Sequence, residues 1–307
     1  MKPAPIALFT YNRLAHTRKT VEALASNELA NLSDLYVFSD GAKSEIDQGE
    51  VDAVRQYLRN IRGFYSVHVT EQPNNIGLSQ SIIRGVSQVC EEQGRVIVLE
   101  DDLVTSPYFL RYMNDALNLY EDEPDVVSIH GYIYPTTSPL PETFFLKGAD
   151  CWGWATWKRG WRIFNPDGAA LLRELVTNEL TDEFDFNNAY PYTQMLRDQL
   201  SGKVDSWAIR WYASAFLKNM LTLYPGKSLV QNIGHDGTGR HCGPSDEFEV
   251  RLARKPVQFH PLAIAEDLFA RRIVERYFRS LGRPTLAKRV QRKLRRIWQR
   301  TTAARPA

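Results

Sequence analysis

The chain has 307 residues, 43% hydrophobic and 24% charged, with a formal net charge of +2. This is ordinary globular composition, which excludes disordered, collagenous and low-complexity classes, and the length suits one elaborated α/β domain. Three cysteines, Cys90, Cys151 and Cys242, are too few and too scattered for a disulfide scaffold, and no Cys-x-x-Cys pair is present to hold structural zinc.

The N-terminal MKPAPIALFTYNR holds one lysine and an apolar run of only four residues, Ile6 to Phe9, too short for a secretory signal. No run approaches the roughly 18 apolar residues of a membrane-spanning helix. The expectation is a cytoplasmic protein. Charge is divided unevenly: residues 271–307 carry 13 Lys and Arg against one acid, Glu275, while the other 270 residues carry 25 basic and 35 acidic side chains. The pattern reads as an acidic body, 1–270, followed by a basic tail, 271–307.

In chain order, PIALFTY (5–11) is a short apolar run with the length of a buried strand, and HTRKTVEALASNEL follows with helical spacing of Val21, Leu24 and Leu29. DLYVFSDG reads as a second strand stopped at Asp40-Gly41, residues 47–60 as a helix, and SVHVTEQ (66–72) as a third strand. A turn at Asn74–Gly77 leads into a helix bearing Ile82, Ile83, Val86 and Val89, and RVIVLEDD is a fourth strand, apolar until its carboxyl end. Ser106-Pro107 opens a further helix, with serine as its cap, and DVVSIHGY forms a fifth strand. The less regular second half contains CWGWATWKRGW (151–161), a helix in DSWAIRWYASAFLKN (205–219) and the glycine-rich NIGHDGTGRHCG (232–243). Alternating strands and helices predict an α/β fold with a mixed, mainly parallel sheet and helices on both faces. Ligands of such sheets bind at the carboxyl ends of the strands, so the polar groups there define the search: Asn12-Arg13, Ser39-Asp40, Asn75–Gly77 and Glu100–Asp102.

Three adjacent carboxylates, Glu100, Asp101 and Asp102, repel one another and call for compensation. A solvated acidic turn capping the next helix is the ordinary explanation of such a run. Its position at the end of the most apolar strand favours a divalent cation shared with a diphosphate, because hard carboxylate oxygens suit Mg²⁺ or Mn²⁺.

LFTYNR, FSDG, NxGL before a helix, VLEDDLVTSPYFLRYM, WGWATW and NIGHDGTG-x-HC occur in an order that resembles the GT-A nucleotide-sugar glycosyltransferases over residues 5–245. The closest likeness is to bacterial relatives of the N-acetylglucosaminyltransferase I group. The resemblance implies a Rossmann-like GT-A domain over 1–270, with a nucleotide-sugar-binding half (1–135) and an acceptor-side half (136–270). It implies transfer from a UDP-sugar to a glycan hydroxyl with inversion, aided by Mn²⁺ or Mg²⁺.

By the same resemblance Tyr11 and Arg13 would line the nucleotide pocket, Asp40 would accept from the uracil ring, and Asn75 and Gly77 would border the nucleoside. Glu100 and Asp101 would contact donor sugar or ribose, Asp102 would ligate the metal, and His241 would reach the metal or diphosphate. Asp205 would be the base that takes the acceptor proton, with Asp150 and Asp236 as competitors. Each residue also has a structural reading: Arg13 as an ion-pair partner, Asp40 as a turn residue, Asn75 and Asp205 as helix caps, and His235 and His241 as satisfied structural groups. Of the tryptophans at 152, 154, 157 and 161, Trp154 is the one expected to be exposed and to stack on the acceptor, the others to pack.

In the tail, Leu286, Val290, Leu294, Ile297 and Trp298 form an apolar stripe on a helix otherwise rich in Lys and Arg. This fits an anionic membrane surface better than nucleic acid, and packing on the body or on a second subunit is the plain alternative. A peripheral position on the inner face of the plasma membrane and a lipid-linked glycan or surface polysaccharide acceptor follow as expectations. Two rivals stand beside the transferase: a nucleotidyltransferase, which would normally carry a glycine-rich first loop where TYNR stands, and a sugar-nucleotide or glycan-binding protein without turnover.

Overall fold

The computed structural model describes residues 2–237, 246–260 and 262–281. The first strands and helices alternate as expected: β1 (Ile6–Thr10), α1 (Leu14–Ala25), β2 (Asp34–Ser39), α2 (Glu45–Leu58), β3 (Ser66–Glu71), α3 (Leu78–Gln93) and β4 (Arg95–Glu100). β5 (Leu103–Thr105), α4 (Phe109–Leu119), β6 (Val126–His130), β7 (Thr143–Leu146), β8 (Trp154–Trp157) and α5 (Lys158–Trp161) follow. The chain continues through α6 (Gly168–Thr177), α7 (Thr181–Phe184), α8 (Tyr192–Leu200), α9 (Trp207–Leu217), β9 (Leu221–Pro225), β10 (Val230–Asn232) and α10 (Leu268–Ser280). The N-cap position of α4 is Tyr108, and the Ser106 hydroxyl accepts from the Tyr108 backbone at 3.3 Å in the turn before the helix while donating to the carbonyl of Ala253, 2.7 Å away, which ties the segment to a distant loop.

Eight strands form one sheet in the order β3-β2-β1-β4-β8-β6-β9-β7, and β5 pairs with β10 in a separate ribbon. β3, β2, β1 and β4 are mutually parallel, and β6 is parallel to β9. β8 runs antiparallel between β4 and β6, and β7 antiparallel along β9. The fold is therefore α/β with a mixed, mainly parallel sheet flanked by helices. Its central strands are mostly apolar and buried because both faces are covered, as in β1 (IALFT) and β6 (VVSIH), every residue of which is buried.

The proposed halves, 1–135 and 136–270, share this single sheet, since β8 of the second half is inserted between β4 and β6 of the first. The boundary at 270 also needs correction. It cuts through α10, whose Ala270, Ile273, Val274 and Phe278 are buried against the body. Arg271, only 5% exposed, bonds Glu266 at 2.9 Å and Glu275 at 3.1 Å. The body thus extends through α10, and four basic residues assigned to the tail (Arg271, Arg272, Arg276 and Arg279) belong to it. The remainder of the basic tail lies outside the described residues. Among those described, no helix is long and apolar enough to cross a membrane.

Candidate functional site

β1 and β4 are parallel neighbours, with Phe9 opposite Glu100, so the segments leaving their carboxyl ends emerge side by side. Arg13 caps the start of α1 and projects to β4, where one guanidinium nitrogen, Nη2, donates to Asp101 at 2.7 Å and Asp102 at 2.8 Å. Its other terminal nitrogen, Nη1, is buried and has no hydrogen-bond partner. The Tyr11 hydroxyl donates to Asp47 at 3.0 Å and accepts from the backbone of Lys43, while the Tyr11 backbone bonds Asp101.

Burial dominates the electrostatics of the acidic run. It pushes Glu100 up to about 8, assisted by Asp102 and Asp101, and pushes Asp101 up to about 6 against the opposing pull of Arg13. Even with Glu100 protonated, the run carries more carboxylates than one guanidinium balances, an excess that a divalent cation would neutralise. The donor set fits such an ion: hard oxygens from one or two carboxylates, with phosphate oxygens completing the shell, are what Mg²⁺ and Mn²⁺ take. The unpaired Nη1 of Arg13 is in turn suited to a phosphate oxygen. Among the described residues no three metal-ligating side chains converge by themselves, so Asp102 would need oxygens from a bound ligand.

Asp40 is put to a different use from the one expected. Its carboxylate is 5% exposed and accepts four hydrogen bonds, all 2.9 Å long: Oδ1 from the backbone of Gly41 and Ile76, and Oδ2 from the Asn75 side chain and the backbone of Gly77. A carboxylate has about four acceptor sites, so none is left for a uracil ring. Asp40 instead clamps the 74–77 turn to the end of β2. Asn75 serves the same clamp, donating also to the carbonyl of Gly41. Gly77 caps α3 in the left-handed region at φ 79°, where a side chain would be strained.

Asp205 sits near that turn: a Cβ placed on Gly77 would lie 3.9 Å from Asp205 Oδ2. Its side chain is 66% exposed and approaches Arg210 at 3.9 Å. The cap of α9 is the neighbouring Ser206, whose hydroxyl accepts from Ile209, so capping does not occupy the Asp205 carboxylate.

The glycine-rich segment returns to the acidic run from the other side. β10 pairs with β5, the backbone of Ile233 donates to the carbonyl of Asp102, and Gly234 packs so tightly that an added Cβ would strike the Asp102 carboxylate. Asp236 pairs with His16 at 3.1 Å. His235 stacks on Phe248 with ring centres 5.5 Å apart, and its Nε2 is buried without a partner. His241 lies outside the described residues.

Trp154 is not an acceptor platform. It is fully buried on β8, and its ring meets those of Trp161, Trp207 and Trp211 at 5.5–5.9 Å. Trp152, partly exposed, is the tryptophan that reaches open space. It lines a cavity of about 240 Å³ with His130, Tyr132, Tyr134, Asp150 and His235, while Ser206 places the start of α9 at the same wall. Asp150 accepts from Tyr134 at 3.0 Å and Tyr224 at 2.8 Å, and burial raises its carboxyl above the usual range. Sequence reasoning missed most of this wall. One signal was available: His130, Tyr132 and Tyr134 alternate, which points all three to one side of an extended chain.

No family model matches the chain, and no curated protein matches it. Distant likenesses occur among solved structures. Mannosyltransferase PcManGT from Pyrobaculum calidifontis, in complex with GDP-Man and Mn²⁺, is 10% identical over 71% of this chain and 70% of its own, with a TM-score of 0.39. TarS from S. aureus is 16% identical over 47% of this chain and 24% of its own, with a TM-score of 0.30. A protein described as a nucleotide-diphospho-sugar transferase, from Desulfovibrio desulfuricans G20, is 13% identical over 55% of this chain and 68% of its own, with a TM-score of 0.35. At these identities and scores the functional reading rests on the chain's own residues.

Proposed function

We propose that the chain is a metal-dependent glycosyltransferase of the GT-A kind that moves a sugar from a UDP-sugar to a glycan hydroxyl with inversion. The observation that carries this reading is the pairing of opposite chemistries at one point: an over-anionic carboxylate run at the end of β4, and an arginine that bonds it through one nitrogen while leaving the other unsatisfied. Such a site suits a diphosphate bridged to a divalent ion.

In this scheme Asp102 holds Mn²⁺ or Mg²⁺, which when bound neutralises charge on the leaving diphosphate. Arg13 turns its free donor to a phosphate oxygen, Glu100 and Asp101 face donor sugar or ribose, and Tyr11, Asn75 and Gly77 wall the nucleoside. Asp205 takes the proton of the attacking hydroxyl, a contribution of about 10²–10⁴-fold for a positioned base. The cavity beside Asp102 and Ser206 lies where an acceptor could approach. The segment 282–307 is assigned to an anionic membrane surface on its stripe of apolar residues among arginines.

Thermal shift with a panel of nucleotide sugars, in Mn²⁺ and in EDTA, tests the donor site. A metal-dependent shift with one UDP-sugar, lost in Asp102→Ala, is the expected result; no shift with any of the panel would sink the reading. Product formation by wild type and its loss in Asp205→Asn, with donor binding retained, separate turnover from binding alone.

A further inference from the structure

The cavity beside the acidic run has a hydrogen-bonding character of its own. Its wall is mostly aromatic, and four of the phenols at or next to it have committed their protons: Tyr134 and Tyr224 to Asp150, Tyr132 to the carbonyl of Phe248, and Tyr212 to that of Phe184, while the Tyr192 hydroxyl lies 3.5 Å from that of Tyr134. Among the described residues no lysine or arginine lines it and no cation pairs with Asp150. Acceptors, by contrast, are in surplus. Each oxygen of Asp150 receives one hydrogen bond, which leaves about half of a carboxylate's acceptor capacity open. The side chain is enclosed by protein yet keeps some accessible surface, and that surface faces the cavity. Nε2 of His235 is buried without a hydrogen-bond partner.

A largely enclosed carboxylate without a counter-cation is destabilising unless something compensates it. Aromatic faces attract cations at short range. An ammonium brings three donors and no acceptor, so it complements a wall rich in acceptors and poor in donors. A neutral hydroxyl complements it less well, because each one also brings two lone pairs for which the wall has few free donors. The volume, below the usual range for drug-sized ligands, admits a small body.

We propose that this cavity binds the ammonium group of a small amine-bearing ligand, with Asp150 as its anionic partner and the rings of Trp152, Tyr132 and Tyr134 beside it. An amino sugar and an alkanolamine supply the same chemistry. The site requires neither nucleotide sugar nor metal, so its occupancy is measured independently of the donor site.

Isothermal titration of the full chain in EDTA, without nucleotide sugar and at neutral pH, tests it. Glucosamine and ethanolamine are compared with their neutral counterparts glucose, N-acetylglucosamine and ethylene glycol. The amines are expected to bind at least about tenfold more tightly, and Asp150→Asn to remove that preference. Tighter binding of glucosamine than of ethanolamine assigns the site to an amino sugar, and the reverse assigns it to an alkanolamine. Equal binding of amines and neutral partners by the wild type, or no amine binding at millimolar concentration, overturns the proposal without recourse to any variant. Should Asp150→Asn lose its circular dichroism, Trp152→Ala, altered at the partly exposed edge, takes its place; amine affinity unchanged in that variant also overturns it. Since nucleotide-sugar binding is measured separately, failure here and failure of the donor site are distinguishable.

Discussion

Arg13 and Asp102, 89 positions apart in the chain, are joined at 2.8 Å by the same guanidinium nitrogen that bonds Asp101 at 2.7 Å. This contact ties the start of α1 to the end of β4 and supplies the one positive side chain that bonds the acidic run among the described residues. Arg13→Met should leave two largely buried carboxylates without their partner and cost about 3–5 kcal/mol of stability. Urea unfolding in EDTA measures the loss. Adding Mn²⁺ should raise the midpoint of the variant more than that of the wild type, since a cation then relieves a larger excess of negative charge; an equal rise in both would argue against an ion at Asp102.

Asp40 offers a sharper contrast between a binding role and a structural one. Asn at this position keeps one acceptor oxygen but sets an amide nitrogen against donors now held by Oδ1 or Oδ2. With at least one buried backbone donor left unsatisfied, at about 1–3 kcal/mol each, Asp40→Asn should be destabilised by roughly 2–3 kcal/mol in urea. Nucleotide preference should stay as in the wild type once the protein is folded. A stable variant with altered base preference would restore the uracil role that the resemblance implied.

His130 couples the cavity to pH. Burial lowers its imidazole from the ordinary 6.5 to about 3, so it is neutral in the folded protein at neutral pH. Between these values the unfolded chain binds the extra proton; stability contributed by His130 is therefore complete above pH 6.5 and is lost as pH falls toward 3. At about 1.4 kcal/mol per unit the loss approaches roughly 5 kcal/mol as pH nears 3. Asp150, on the same cavity, has a raised pKa and contributes with the opposite sign, because its protonation favours the fold. Tyr132 and Tyr224, whose rings face His130, stay neutral throughout. The His130 part is thus read as the difference between wild type and His130→Gln in urea midpoints from pH 4 to 7. The variant should lose less stability on acidification; parallel curves would rule the imidazole out as the cause.

The first half of the fold was legible because its signals are local. VIVL followed by three carboxylates marks a buried strand and its polar carboxyl end, and the Asn-x-Gly turn marks the start of α3. The use of Asp40 was not legible, since three of its four donors come from a turn more than 30 residues away. Trp154 was misplaced for a topological reason. Its segment reads as an irregular aromatic loop, but the chain inserts it as β8 between β4 and β6, where both faces are covered. The α10 boundary was obscured by charge: the stripe of Ala270, Ile273, Val274 and Phe278 is an ordinary packing face, yet it lies among arginines that continue without a break into the basic tail.

Trp152 and Trp154, two residues apart, should respond to substitution in opposite ways. Trp154 lies in a cluster with Trp161, Trp207 and Trp211, so its removal opens a cavity that surrounding rings cannot readily fill. Trp154→Ala should cost about 3–5 kcal/mol in urea. Its indole Nε1 is buried and without a hydrogen-bond partner, so Trp154→Phe removes an unsatisfied donor along with part of the ring and should cost much less. Trp152, partly exposed and touching Tyr132, His235 and Phe248 edge-on, has solvent on one side. Trp152→Ala should cost roughly 1–2 kcal/mol while weakening whatever the adjoining cavity binds. A Trp152→Ala variant as unstable as Trp154→Ala would mean that both tryptophans are core residues and that the cavity wall is structural.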